Sequence, residues 1–322
     1  MKIATIKDIA KEVGVSTATV SYVLNNTRQV SPATREKVLE AVARLGYTPN
    51  TLARGLVGKK TRSLAVAVTT SFCWNGSEAA LTGILQGIGS ATYAADYSFM
   101  LLFIDELSSQ VLQELAGKGI EGLITVGLTL PKENQDTSPF PVVALDFGFD
   151  ETPDVAGIKK VSFSYRQAFQ LAASHLAELG KERITVIGPA YCQRGLADIA
   201  RTVGVKMTYL PGEPTAPGGY VAVDALLSDS PPEAVITYND SMAIGVLHAL
   251  ARRGYQVPED MAVIGCNDDP AASYSKPPLT TLRIPWSKLG ESAVKLFLGA
   301  ETHYSIEPKL VIRESCGSSL WI

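Results

Sequence analysis

Within the first 46 residues, helix start and stop signals recur so closely that only three short helices fit between them. Thr5 with Asp8 three positions on is a variant capping box, opening a helix whose Ile6, Ile9, Ala10 and Val13 fall on one face. Gly14 ends it, because a left-handed backbone position is cheap only for a residue without Cβ. Ser16 caps a second helix carrying Val20, Val23 and Leu24 inward, and Ser31-Pro32 opens a third, where proline's missing N–H costs nothing. The inner stripe of that third helix, Val38, Val42 and Leu45, stops at Gly46. Helix, glycine turn, helix and a supporting helix make a helix-turn-helix arrangement.

Such an arrangement lays its second helix, about Thr17 to Asn25, in the DNA major groove. The outward residues at its start are Thr17 and Ala18, with Tyr22 one turn on. A hydroxyl, a methyl and a phenol ring are groups that read base edges. Ser16, Ser21, Asn25 and Thr34 are placed for phosphate contacts, which set register without reading sequence. Thr5 and Thr19 complete the DNA-facing set of the head. In the next stretch, Pro49-Asn50 opens a very short helix that Gly55 and Gly58 keep unstable on its own. Leu56 has nothing local to pack on. The expectation is a linker that orders on DNA, with Leu56 wedged between base pairs of the minor groove and Arg54 following its floor. Charge agrees: residues 1–62 hold 11 Lys/Arg against 4 Asp/Glu, while the remainder holds 18 against 28. A basic head on an acidic body offers one end to a polyanion.

From Ser63 onward, short apolar runs alternate with amphipathic stretches. The runs Leu64–Val68, Phe99–Ile104, Gly122–Val126, Val142–Leu145, Ile184–Ile187, Val235–Tyr238 and Met261–Ile264 read as strands, and Tyr165–Leu179 and Ser241–Arg253 as helices. This is the pattern of parallel sheets covered on both faces, which bind ligands beyond the carboxyl ends of their strands. The residues just past those ends are Phe72, Trp74, Asp146, Arg194, Asn239, Asn267 and Asp268. Carboxylates and amides exchange hydrogen bonds with hydroxyls, arginine grips hydroxyls or an acid group, and aromatic faces stack on rings. The four cysteines (Cys73, Cys192, Cys266, Cys316) form no C-x-x-C pair, so reduced thiols are expected rather than disulfides or a zinc site. The three histidines are dispersed, and no nucleophile motif occurs. Gly83, Gly87 and Gly89 fall inside an expected helix, where they permit close helix packing and do not form a dinucleotide fingerprint. An enzyme is not expected, nor any cofactor or metal. The N-terminus lacks a signal-peptide core and no apolar run is long enough to span a bilayer, so a soluble cytoplasmic protein is expected.

The residues Thr5-Ile6-Lys7-Asp8-Ile9-Ala10, Gly14-Val15-Ser16, Thr19-Val20-Ser21, Val23-Leu24-Asn25, Val30-Ser31, Thr34-Arg35 and Gly46-Tyr47-Thr48-Pro49-Asn50 closely resemble the head of the lactose-repressor (LacI) family of bacterial regulators. Ala53-Arg54-x-Leu56 resembles that family's hinge helix, adding Asn50 and Ala53 to the expected DNA contacts. Weaker echoes in the body are Tyr238-Asn239-Asp240, Val257-Pro258-Glu259-Asp260 and Pro277-Pro278-Leu279-Thr280-Thr281-Leu282. The resemblance implies an all-α helix-turn-helix head (1–46), a hinge helix or linker (47–61) and an α/β, two-lobed, periplasmic-binding-protein-like body (62–322). It puts lobe one at about 62–158 with 286–310, lobe two at about 159–285 with 311–322, and Trp286 at a lobe crossing, as a further pocket candidate. It also implies a homodimeric repressor on a near-palindromic operator, controlled by a small effector, a sugar or sugar derivative by family habit.

Several positions depart from the family pattern. Phe72-Cys73-Trp74-Asn75-Gly76 replaces an Asn-Pro-Phe-Phe type of segment, Ser164 stands where an acidic residue is common, and Cys266 stands for an aromatic. The region after Arg194 is shortened. The chain ends at Trp321-Ile322 without the leucine-rich helix that makes some members tetramers, so a dimer is expected. An exported binding protein is excluded by the fused head. An alternative keeps the head but replaces the small effector with a protein partner or constitutive repression.

Overall fold

The structure, a computed structural model, describes all residues except 1–3, 26–27, 48–60, 71–77, 129–137, 149–157, 229, 301–303 and 319–322. The chain divides into two units, Met1–Thr61 and Arg62–Ile322.

The first unit holds α1 (Ile6–Val13), α2 (Thr17–Asn25) and α3 (Pro32–Leu45). Their ends follow from local chemistry. The Asp8 carboxylate accepts from the Thr5 N–H at 2.8 Å and from the Thr5 hydroxyl at 2.6 Å, closing the start of α1. Gly14 and Gly46 take left-handed φ values of 72° and 59° and end α1 and α3. Ser16 Oγ accepts from the Thr19 N–H, and Ser31 Oγ from the Thr34 N–H, satisfying donors that a free helix end would leave bare. Ile9, Ala10, Val20, Val23, Val38 and Ala41 meet in a small core of their own, and Arg44 on α3 pairs with Glu12 on α1.

The second unit contains two six-stranded sheets. The first is ordered β11-β5-β4-β3-β1-β2, from β1 (Ser63–Val68), β2 (Ser98–Phe103), β3 (Gly122–Val126), β4 (Val142–Gly148), β5 (Ile158–Ser164) and β11 (Tyr304–Ile306). The second is ordered β12-β10-β9-β8-β6-β7, from β6 (Arg183–Gly188), β7 (Lys206–Pro211), β8 (Ala234–Thr237), β9 (Ala262–Cys266), β10 (Thr280–Arg283) and β12 (Lys309–Val311). Every pairing is parallel except that of β12 with β10, where Thr281 faces Val311. The central strands β1, β3, β8 and β9 are almost wholly buried, which is why they read as unbroken apolar runs.

Helices α4 (Glu78–Ala94), α5 (Ser109–Gly117) and α10 (Trp286–Phe297) serve the first sheet. Helices α6 (Tyr165–Glu178), α7 (Leu196–Val203), α8 (Ala216–Leu226) and α9 (Asp240–Arg252) serve the second. One apolar cluster runs from Leu64, Val66 and Val68 of the first lobe through Trp286 to Val235, Ile236 and Ile264 of the second. Ala65, Ala67, Leu112, Leu115 and Leu123 form a smaller core on the other face of the first sheet.

Sheet membership departs by a few residues from the approximate lobe bounds expected from the sequence. The first sheet continues through β5 to Ser164, six residues past the expected crossing at 158, and β12 enters the second sheet at Lys309 rather than 311. Lys159 and Lys160 give β5 a polarity that hides a strand whose Val161 and Phe163 are buried.

Candidate functional site

The head presents α2 with its first turn to solvent. Thr17 and Ala18 are exposed, and no side chain of the described head covers them. Ser16 and Thr34 are engaged in capping, and Ser16 Oγ lies 2.9 Å from Thr19 Oγ1. Thr5 is likewise tied to Asp8. Each hydroxyl retains lone pairs beyond its cap, and Ser21 sits half-buried on α2. Tyr22 is half-buried, with the Arg28 guanidinium over its ring at 5.3 Å from the centroid. Sequence reasoning missed Arg28, since the path of the chain after α2 decides which cation reaches the ring. Asn50, Ala53, Arg54, Leu56, Phe72 and Trp74 lie outside the described residues, as does the side chain of Asn25.

In the body, the strand ends carry a seam of aromatic rings. Trp286, at the first turn of α10, meets Phe147 of β4 edge-on at 5.5 Å and Phe163 of β5 at 5.7 Å. Phe163 meets Tyr165, the first residue of α6, and Tyr165 meets Tyr238 just past β8 at 5.1 Å. Tyr191, after β6, completes the series against Tyr238. The Tyr165 hydroxyl donates to the Tyr238 oxygen at 3.2 Å. Burial pushes the phenols of Tyr165, Tyr238 and Tyr191 and the thiols of Cys192 and Cys266 up, so this seam is uncharged at neutral pH.

The sequence-selected polar residues divide. Trp286 and Asn267 are buried, and the Trp286 indole N–H and the Asn267 amide oxygen have no hydrogen-bond partner among the described residues. Asn239 is fully buried and caps α9: its oxygen accepts from the Met242 N–H and its amide donates to the Pro214 carbonyl, both at 2.8 Å. Asp268 is gripped by Arg283 at 2.6 Å and Arg313 at 2.7 Å. Asn239 and Asp268 thus already have partners within the local fold. Asp146 is half-buried in β4 opposite Ser162, and Arg194 is exposed after the turn that follows β6. Sequence reasoning missed Asp269, whose Oδ1 is buried without a partner and whose carboxyl burial, with Asp268 and Glu78 nearby, raises to about 6.

The neighbouring Asp240 is wholly buried, accepting from the Thr281 hydroxyl at 2.5 Å and the Asp269 N–H at 2.7 Å. Desolvation outweighs those two bonds and lifts its carboxyl to about 7. In the first lobe, Asp105 past β2 accepts from the hydroxyls of Thr70 and Thr69, which hold its carboxyl below the usual range. No group of His, Cys, Asp and Glu side chains among the described residues is arranged to hold a metal ion. Among them, too, no helix is long and apolar enough to cross a membrane.

A helix-turn-helix unit joined to a two-lobed parallel α/β body defines a ligand-responsive DNA-binding regulator. The comparisons narrow that class. Residues 5–50 match the bacterial regulatory proteins of the lacI family, and residues 173–316 match the periplasmic binding protein-like domain. The HTH-type transcriptional repressor PurR of Vibrio cholerae is 33% identical over 313 residues, covering 92% of this chain and 90% of that protein. PurR of Haemophilus influenzae is 34% identical over 349 residues, covering 98% of this chain and all of its own length. Among solved structures, the lac repressor dimer bound to operator and the anti-inducer ONPF superimposes with a TM-score of 0.80 at 27% identity, covering 98% and 99% of the two chains. The complex of the regulator CelR with cellobiose follows at 0.67 and 28%, covering 97% and 99%. The chain belongs to the LacI family, and it is a transcriptional repressor, as its relatives are, and not an enzyme.

Proposed function

We propose that the protein represses transcription in the cytoplasm as a homodimer on a near-palindromic operator, and that a small molecule between its lobes sets the operator affinity. The observation that carries the DNA half is the exposed first turn of α2, with Thr17 and Ala18 clear of the caps on either side. One head reads too few base pairs for useful specificity, and a two-fold protein matches a palindromic site. Thr17, Ala18 and Tyr22 then read bases. Thr5, Ser16, Thr19, Ser21, Asn25 and Thr34 fix register on phosphates, and Asn50, Ala53, Arg54 and Leu56 engage the minor groove. The ligand half rests on the aromatic seam and on two buried polar atoms without a hydrogen-bond partner among the described residues, Trp286 Nε1 in the seam and Asn267 Oδ1 past the end of β9. Phe72, Trp74, Asp146 and Arg194 complete the proposed ligand set.

Selection of random duplex DNA by the purified protein at near-physiological salt tests the reading. A palindrome with a fixed centre is expected. Enrichment of a single non-repeated half-site would overturn the dimer. On the selected operator, Leu56→Ala is expected to weaken specific binding at least tenfold while leaving salt-sensitive non-specific binding nearly intact. Equal loss of both would remove the wedge from the account.

A further inference from the structure

We propose that Arg313 and Arg283 are positioning residues for the ligand site: through Asp268 they hold Asn267 in a left-handed backbone that keeps its amide oxygen available to a hydrogen-bond donor of the effector. The proposal rests on reading the seam as the effector site and adds the device that sets one of its contacts.

Past the end of β9, two consecutive residues with side chains adopt positive φ, Asn267 at 112° and Asp268 at 56°. Backbone of this kind persists only where its surroundings impose it. Here the surroundings are explicit. Arg283, on β10, donates from Nε to Asp268 Oδ2 at 2.6 Å, and Arg313, just after β12, donates from Nη2 to Asp268 Oδ1 at 2.7 Å. Arg313 is itself fixed, through Nη1 to the Leu279 carbonyl at 2.7 Å and through its backbone N–H to Thr280 Oγ1 at 2.8 Å. The backbone of the turn is tied to β10 as well, Asn267 N–H to the Leu282 carbonyl at 2.8 Å and Asp268 N–H to Thr281 Oγ1 at 3.3 Å. The clamp ends on the one residue of the turn that is over nine-tenths buried and whose side-chain oxygen has no partner.

Asn267 therefore carries two penalties together, a strained backbone and a desolvated acceptor, and glycine would remove both. The amide oxygen makes no hydrogen bond within the local fold among the described residues, so its use lies in what it can bind. An amide oxygen accepts, so the effector must bring an O–H or N–H donor to it.

The test is a double-mutant cycle on the full-length protein, read first by the melting temperature of the ligand-free body. Asn267→Gly is expected to raise it by roughly 2–4 °C. Arg313→Gln is expected to lower it, and in that background Asn267→Gly should shift it by less than about 1 °C, because the turn is then free to relax. A drop on Asn267→Gly alone, or an equal rise in both backgrounds, overturns the clamp. Calorimetric titration with adenine, cytosine, D-ribose, cellobiose and ribose 5-phosphate supplies a readout that a merely structural role would not move. Any of these that binds the parent protein should bind Asn267→Gly and Arg313→Gln at least tenfold more weakly, with Arg313→Lys intermediate. Binding of none of the five counts against the effector reading, while the clamp is decided by the melting temperatures alone.

Discussion

Asp240 lies at the first turn of α9 with no solvent exposure, and each of its oxygens has one donor, the Thr281 hydroxyl and the Asp269 N–H. Its carboxyl is lifted to about 7 by burial, and Asp269, past the next strand in sequence and adjacent in space, is raised to about 6. In the unfolded chain both titrate near 4, so between that pH and about 7 the folded state binds more protons than the unfolded one. Stability is then greatest below pH 4 as far as these two groups are concerned, and it falls as pH rises through 6 and 7. Asp240→Asn keeps an acceptor for the Asp269 N–H and a donor for Thr281 Oγ1, so it should fold. Its melting temperature should change less between pH 5 and pH 8 than that of the parent. A variant with an unaltered pH slope would show that Asp240 is already ionised in the fold. The same residue accounting explains why the two asparagines past strand ends, alike in the sequence, differ in the structure. The Asn239 side chain meets a carbonyl and a helix N–H, whereas the Asn267 amide oxygen meets no donor among the described residues, and only the folded partners distinguish them.

Each lobe contains a pair of helices packed backbone to backbone through glycine. In the first, a Cβ on Gly87 of α4 would overlap the Ser287 carbonyl of α10, one on Gly290 would overlap the Ile84 carbonyl, and Gly83 faces the Trp286 Cβ. In the second, Gly219 of α8 faces the Met242 carbonyl and Gly245 of α9 faces the Ala216 carbonyl. The first pair delivers Trp286 to the aromatic seam, so helix spacing and the geometry of the seam are set by the same residues. Gly87→Ala should cost about 3 kcal/mol by overpacking, because backbone cannot step aside as a side chain can. Gly89, two residues on, meets only Phe99 Cε1 at 3.8 Å, and Gly89→Ala should gain about 0.5–1 kcal/mol from helix propensity. Denaturant unfolding of the two variants decides it; a mild effect at Gly87 would mean that the helices separate freely. The close packing was legible in the sequence as glycine within a helical pattern, although not which two of the three glycines make the contact. Buried central strands were legible because they are apolar throughout. By contrast β5, with its two lysines, the half-exposed edge strand β7, and the three-residue β11 and β12 carry too little pattern to be seen without their partners. In the head nearly every element was legible, since caps and turns are local chemistry. The seam was not, since Phe147, Phe163, Tyr165 and Tyr238 come together only when two sheets from distant sequence do.

The head and the body each close a core within their own unit, the head around Ile9, Val20 and Val38, the body around a cluster shared by both lobes. Calorimetry of the full chain should therefore show two transitions, the smaller one belonging to the head, with the two lobes melting together. Each ligand has its own transition to move. An effector at a hundred times its dissociation constant adds about 2.7 kcal/mol to the unit that binds it and should raise the body transition by roughly 5–10 °C. Operator DNA should raise that of the head, and more so at low salt, because 11 Lys/Arg against 4 Asp/Glu in residues 1–62 make its binding depend on released counterions. A repressor whose effector merely occupied the body would show these two effects independently. Coupling requires more: whatever factor the effector applies to operator affinity, the operator must apply to effector affinity. Two titrations measure the two factors separately, effector into protein with and without operator, and operator into protein with and without effector. Equal factors different from one would establish that a body with the Asn267 turn and a head with the exposed α2 share one equilibrium. Factors of one in both directions would leave a protein that binds DNA and a small molecule without connecting them. In that case its control would have to come from a protein partner, or it would repress constitutively.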